Sequence, residues 1–137
     1  MVGCSTIRTG PRVMSSPPRR VLVVEDEPQV AVMLQDFLVD LGHDVLIAPN
    51  GADALRMFPR YHPNVVLLDM MLPEVSGDTV FQCFRLADPD IPVILVTGVE
   101  PEIARRTLAR GAFDYLAKPF DLQALARTVG AAVASRG

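Results

Sequence analysis

Short, almost uninterrupted apolar runs alternate with longer segments whose apolar residues recur at helical spacing. An apolar run of this kind, bounded by turn residues, is typical of a strand buried on both faces of a sheet. The predicted strands are Val21–Val24, Val45–Ala48, Val65–Asp69, Val93–Thr97 and Tyr115–Lys118. In the third of them, four large apolar residues lead directly into the carboxylate of Asp69, which makes this residue the first candidate for chemistry.

A helix is predicted after each strand, because proline, glycine and short polar residues mark its start or its end. We expect the helices to begin near Pro28, Gly51, Gly77, Pro101 and Asp121, and the first four to end near Gly42, Pro59, Asp88 and Gly111. Glu27 stands just before the first helix, where we expect its negative charge to interact favourably with the positive helix end.

Regular strand–helix alternation with short loops predicts right-handed crossovers and a parallel sheet covered on both faces. The expected fold is therefore α/β: a doubly wound, flavodoxin-like (βα)5 domain with a five-stranded parallel sheet in the order 2-1-3-4-5. In such a sheet, ligands bind at the carboxyl ends of the strands.

Length and composition place one domain of residues 19–137 after a basic leader of residues 1–18, which we expect to be disordered. Residues 1–20 carry four arginines and no acid, whereas the remainder carries nine basic and sixteen acidic side chains. An acidic body argues against direct nucleic-acid binding, and no apolar run is long enough to span a membrane. With only Cys4 and Cys83, free thiols in a reducing compartment are expected, so the interpretation is a cytoplasmic protein. The sequence also stops right after the last predicted helix, so we expect no room for a DNA-binding domain.

Ionisable and hydroxyl side chains end, or directly follow, four of the predicted strands. They are Glu25, Asp26, Asp69, Thr97 and Lys118, and Lys118 is the only lysine in the chain. Because the carboxyl ends of strands 1, 3, 4 and 5 converge in this topology, the carboxylates would crowd together and need either raised pKa values or a cation. Carboxylate oxygens with room for water suit Mg²⁺, and phosphate oxygens could join such a site.

At this point the sequence resembles the receiver domain of bacterial response regulators of two-component systems. The resemblance covers about residues 20–136 and depends on the order and spacing of several motifs together. These are Val21–Glu27 (VLVVEDE), Val66–Pro73 (VLLDMMLP) with Gly77, Val93–Gly98 (VILVTG) and Gly111–Phe120 (GAFDYLAKPF).

The resemblance implies a role for each matching residue. Asp69 would accept the phosphoryl group, and Lys118 and Thr97 would bind it. Asp26 and Asp69 would hold Mg²⁺ with the backbone carbonyl of Met71, and Glu25 would act through water. Tyr115 would change rotamer together with Thr97. Pro119 would follow a cis peptide bond.

The implied function is a signalling phosphoacceptor rather than an enzyme. A histidine kinase or histidine phosphotransfer protein would donate the phosphoryl group from phosphohistidine to Asp69. The added charge would then switch the face formed by the fourth helix, fifth strand and fifth helix, which controls a downstream protein target that the sequence does not identify. The chain would be either a stand-alone regulator or a fragment of a hybrid kinase or larger regulator. A phosphorylation-dependent homodimer stays open.

The sequence also departs from the family pattern. Glu25 stands where many relatives have Asp, and Met71 and Val99 are apolar where polar residues are often found. We predict that these two apolar residues fail to orient the attacking water, so that self-dephosphorylation is slow.

Two other functions remain as alternatives. A phosphatase with an Asp nucleophile would commonly need a second Asp two residues after the first, where this chain has Met71. A receiver-like module that binds partners without phosphorylation would not need the set of Asp26, Asp69, Thr97 and Lys118.

Overall fold

A computed structural model describes residues 19–98 and 101–136 of the protein. Within these ranges, five strands alternate with five helices. The strands are β1 (Arg20–Val24), β2 (Asp44–Ala48), β3 (Val65–Leu68), β4 (Val93–Thr97) and β5 (Asp114–Ala117). The helices are α1 (Pro28–Asp40), α2 (Gly51–Tyr61), α3 (Gly77–Ala87), α4 (Pro101–Ala109) and α5 (Leu122–Arg136). The described residues do not include the predicted leader, which contains Cys4, or Val99.

The strands form one parallel sheet in the order β2-β1-β3-β4-β5, which confirms the predicted fold. The central strand β3 pairs with β1 and β4, so that Leu68 lies opposite Val24 on one side and opposite Leu95 on the other. These three strands therefore end at the same edge of the sheet, and the loops that follow them meet there.

The apolar residues of the three central strands alternate between two core layers. On β3, Val66 and Leu68 face the layer that contains residues of α2, α3 and α4, whereas Val65 and Leu67 face the layer that contains residues of α1 and α5. All residues of β3 and β4 are buried. Burial on both faces explains why these strands lack the polar alternation of a half-exposed strand.

The end of α2 differs from the sequence-based prediction. The helix does not end near Pro59 but continues to Tyr61, with Pro59 inside its last turn. Pro59 lacks the N–H that would donate to the Leu55 carbonyl, but the helix still closes after it, where the His62 N–H donates to the Phe58 carbonyl at 3.1 Å. His62 itself has a left-handed backbone with φ 49°.

The structure also bears on two expectations from the composition, namely the absence of a membrane-spanning segment and free cysteine thiols. None of the helices in the described part of the chain combines the length and apolar character needed to cross a bilayer. Cys83, on α3, is exposed and forms no disulfide within the described ranges.

Candidate functional site

The first residue after three of the strands continues the backbone pairing of the sheet. The Asp69 N–H donates to the Val24 carbonyl, the Glu25 N–H to the Ala48 carbonyl, and the Lys118 N–H to the Thr97 carbonyl, each at 3.1 Å. Strands β3 and β5 thus end one residue earlier than the sequence predicts, just before Asp69 and Lys118. The backbone hydrogen bonding of the sheet therefore extends by one residue to these ionisable residues.

Asp69 is almost fully buried, and one of its carboxylate oxygens is held by neutral donors. Oδ1 accepts a hydrogen bond from the Thr97 hydroxyl at 3.0 Å and another from the Met71 N–H at 2.9 Å. Thr97 is completely buried at the end of β4. These two contacts fix the orientation of the carboxylate and leave its second oxygen, Oδ2, for a charged partner.

That partner is Lys118, whose ammonium lies among three carboxylates. Its Nζ is 3.1 Å from Asp69 Oδ2, 2.9 Å from Glu25 Oε1 and 3.5 Å from Glu27 Oε1. Burial by itself would lower the pKa of Lys118, but the hydrogen bonds and charges of Glu25 and Asp69 outweigh it and raise that pKa. For Glu25 burial dominates, so its pKa is raised although Lys118 acts in the opposite direction.

Glu25, Asp26 and Asp69 bring one carboxylate oxygen each to within 4.8 Å of one another. Glu25 and Asp69 are buried, whereas Asp26 is exposed. Clustered carboxylate oxygens with one exposed member fit a hard divalent cation such as Mg²⁺, which keeps part of its water shell. Met71 joins the site through its backbone N–H, and the ligand role of its carbonyl stays a prediction.

Gly77, the first residue of α3, lies against the loop that carries Asp69. A Cβ at this position would lie 2.5 Å from Met70 Cα and 2.9 Å from the Asp69 carbonyl oxygen. The sequence predicts Gly77 as a helix start with a role in backbone geometry, and the structure gives the reason, because a side chain here would meet the backbone of the Asp69 loop.

The two remaining predicted features lie on β5 and just after it. Tyr115 is half-buried opposite Leu95 of β4 and packs against the core layer of α2, α3 and α4. The peptide bond between Lys118 and Pro119 is cis, as the resemblance implied.

Glu27 is the site residue that the sequence-based prediction missed. It is the N-cap residue of α1, yet its carboxylate lies 3.5 Å from Lys118 Nζ. The presence of a single lysine in a chain with several acids near one sheet edge was the available signal. It could not indicate which acids reach that lysine.

Comparison with known proteins supports the family suggested by these residues. The family model of the response regulator receiver domain matches residues 21–130. The chain belongs to the response regulator receiver family. It is therefore a receiver domain of the kind found in two-component systems.

This receiver domain is similar to parts of longer regulators. It is 40% identical, over 80% of its length, to the probable transcriptional regulator ycf27 of Porphyridium aerugineum. It is 42% identical, over 77% of its length, to the regulatory protein AtoC of Escherichia coli strain K12. The matches span 47% and 23% of these two relatives, so the chain covers about half of their length or less.

Solved structures agree with this family. A response regulator receiver domain protein from Clostridium thermocellum superposes with a TM-score of 0.83 at 29% identity. The superposition covers 86% of this chain and 96% of that one.

Proposed function

We propose that Asp69 is the phosphoacceptor of this receiver domain and that its donor is a phosphohistidine on a histidine kinase or histidine phosphotransfer protein. The observation that carries the proposal is the asymmetric environment of the buried carboxylate. Neutral donors hold Oδ1, and the ammonium of Lys118 is paired with Oδ2. A carboxylate held this way is oriented for nucleophilic attack on phosphorus.

In the proposed reaction, an Asp69 oxygen forms a bond to phosphorus while the N–P bond of phosphohistidine breaks, and its electron pair returns to the imidazole nitrogen. The ammonium of Lys118 would move from the carboxylate to a phosphoryl oxygen, and the Thr97 hydroxyl would donate to another. Asp26 and Asp69, with the Met71 carbonyl and with Glu25 through water, would hold Mg²⁺, which when bound supplies positive charge against the phosphoryl oxygens.

The output would be a change of the surface formed by α4, β5 and α5, which would control a downstream protein target. Thr97 ends β4, the neighbour of β5, and Tyr115 lies on β5 itself. Strand β5 is the edge of the sheet and has no fully buried residue, in contrast to β4. An edge strand with partly exposed side chains can report a change in the buried site to a partner or to a second copy of the domain.

The direct test is phosphorylation of the isolated protein. Incubation with Mg²⁺ and acetyl phosphate, followed by intact mass measurement, is expected to show a single phosphoryl adduct. Asp69→Asn should abolish it, whereas the matched change Asp78→Asn, at a partly exposed acid of α3, should leave it unchanged. Sustained phosphate release without an adduct would indicate a phosphatase instead. Neither an adduct nor phosphate release would indicate a binding module that works without phosphorylation.

The phosphoryl group is expected to be long-lived because an apolar side chain lies two residues after Asp69. The Met71 side chain is 64% exposed and offers no hydrogen bond to an attacking water. Met71→Asn is expected to shorten the lifetime of the adduct several-fold, measured by intact mass after removal of the donor. Met33→Asn, at an exposed methionine of α1, serves as the control. A half-life of seconds that Met71→Asn leaves unchanged would contradict the prediction.

A further inference from the structure

We propose that Glu27 is a positioning residue that draws Lys118 to the outer rim of the site and competes for it with the phosphoryl group on Asp69. The inference rests on the proposed phosphorylation of Asp69. It assigns to Glu27 a regulatory effect on that reaction, separate from the metal-binding and phosphoacceptor roles of its neighbours.

The first support is that the Glu27 carboxylate forms no hydrogen bond with the N-terminus of α1. Glu27 occupies the N-cap position, but within the described residues its side chain makes no capping hydrogen bond. The backbone N–H of Glu27 instead donates to Glu25 Oε2 at 3.2 Å, which ties this residue to the site from its main chain as well.

The second support is the arrangement around the ammonium. In the described chain, the Nζ of Lys118 lies within ion-pair distance of three carboxylates, those of Glu25, Asp69 and Glu27. Glu25 and Asp69 are 2% and 5% exposed at their side chains, whereas Glu27 is 61% exposed. Glu25 and Asp69 thus hydrogen-bond the ammonium from inside the pocket, and Glu27 faces it from the solvent side at ion-pair distance.

This arrangement sets the direction of the effect. When Asp69 is phosphorylated, Lys118 must turn towards a phosphoryl oxygen, and a carboxylate that binds it in the resting state opposes that movement. The negative charge of Glu27 also lies near the incoming phosphoryl group and repels it. Both effects act in the same direction, so neutralising Glu27 should favour phosphorylation.

The experiment compares Glu27→Gln with Glu102→Gln, which removes the same charge from the first turn of α4. Glu27→Gln is expected to accelerate phosphorylation by acetyl phosphate about two- to fivefold at low ionic strength, the range expected for an exposed ion pair. The gain should shrink at about 0.5 M salt, where the screening length is roughly 4 Å. Glu102→Gln should not change the rate.

A second readout follows Lys118 directly. Because Lys118 is the only lysine, lysine labelled with ¹³C and ¹⁵N gives one side-chain ammonium signal, that of Lys118 Nζ. In the unphosphorylated protein, Glu27→Gln should move this signal and Glu102→Gln should not. A merely structural role of Glu27 in α1 would not move it.

The two readouts together decide the proposal. A shifted lysine signal with a faster reaction supports it. A shifted signal with an unchanged rate, or a faster reaction with an unshifted signal, would overturn the positioning role. If the wild-type protein takes no phosphoryl group, the proposed function itself fails. If the wild type is phosphorylated and Glu27→Gln behaves like wild type, only the role of Glu27 is wrong.

Discussion

Replacement of Lys118 by methionine is expected to destabilise the receiver domain by about 3 kcal/mol at neutral pH, because removing one partner of a buried ion pair leaves the other uncompensated. Glu25 and Asp69 would both lose the ammonium that lies 2.9 and 3.1 Å from their oxygens. Urea unfolding followed by circular dichroism measures the loss. The matched change Arg110→Met removes an ion pair with Asp78 whose side chains are both 46% exposed, and it should cost less than about 1 kcal/mol.

The deficit of Lys118→Met should depend on pH in a defined direction. Burial already raises the pKa of Glu25 in the folded protein, and loss of Lys118 removes the group that opposes this shift. A carboxyl whose folded pKa lies above its unfolded pKa binds more protons in the folded state, so the folded state gains stability as the pH falls through that range. The difference between Lys118→Met and wild type should therefore narrow on acidification. A stability deficit that stays constant or widens on acidification would show that the ionisation of Glu25 is not coupled to Lys118.

Replacement of Gly77 by alanine is expected to destabilise the protein by about 1–3 kcal/mol, because the new methyl group must displace backbone rather than a flexible side chain. The affected atoms include Met70 Cα and the Asp69 carbonyl oxygen, at 2.5 and 2.9 Å from the added Cβ. The same shift would disturb the Asp69 carboxylate, so we expect phosphorylation by acetyl phosphate to slow at the same time.

The control for Gly77→Ala is Gly130→Ala. Gly130 lies inside α5, and a Cβ there would meet no described atom within 4 Å. Alanine at an exposed helix position should stabilise by up to about 1 kcal/mol, the opposite sign. Equal effects of the two substitutions in urea unfolding would contradict the close approach at Gly77.

The strands and their order could be predicted because a local pattern carries that information. Val65–Leu68 and Val93–Thr97 are apolar throughout, and only strands covered on both faces tolerate this. The limits of the elements were less predictable. Proline is typical of a helix end, so the sequence places the end of α2 near Pro59. In the structure α2 continues to Tyr61, and its Phe58 ring stacks on Phe84 of α3 with the ring centres 4.3 Å apart.

The sequence could predict which residues form the site, but not which of their atoms contact each other. The topology of the sheet implies that Glu25, Asp69, Thr97 and Lys118 meet, since each stands at the end of a strand. Which oxygen faces which donor depends on side-chain directions after distant segments have packed. Glu25 and Lys118 are separated by 93 positions, so no local pattern could specify a 2.9 Å contact between them.

For this receiver domain, therefore, the order of apolar and polar residues determined the α/β fold and the edge of the sheet at which the acids gather, because burial on two faces and strand-end chemistry are local properties. Only the tertiary structure decided that Glu27 faces Lys118 instead of capping α1, and that Gly77 must lack a side chain. Both depend on distances between segments that are remote in sequence, and these distances exist only once the sheet and its helices have packed.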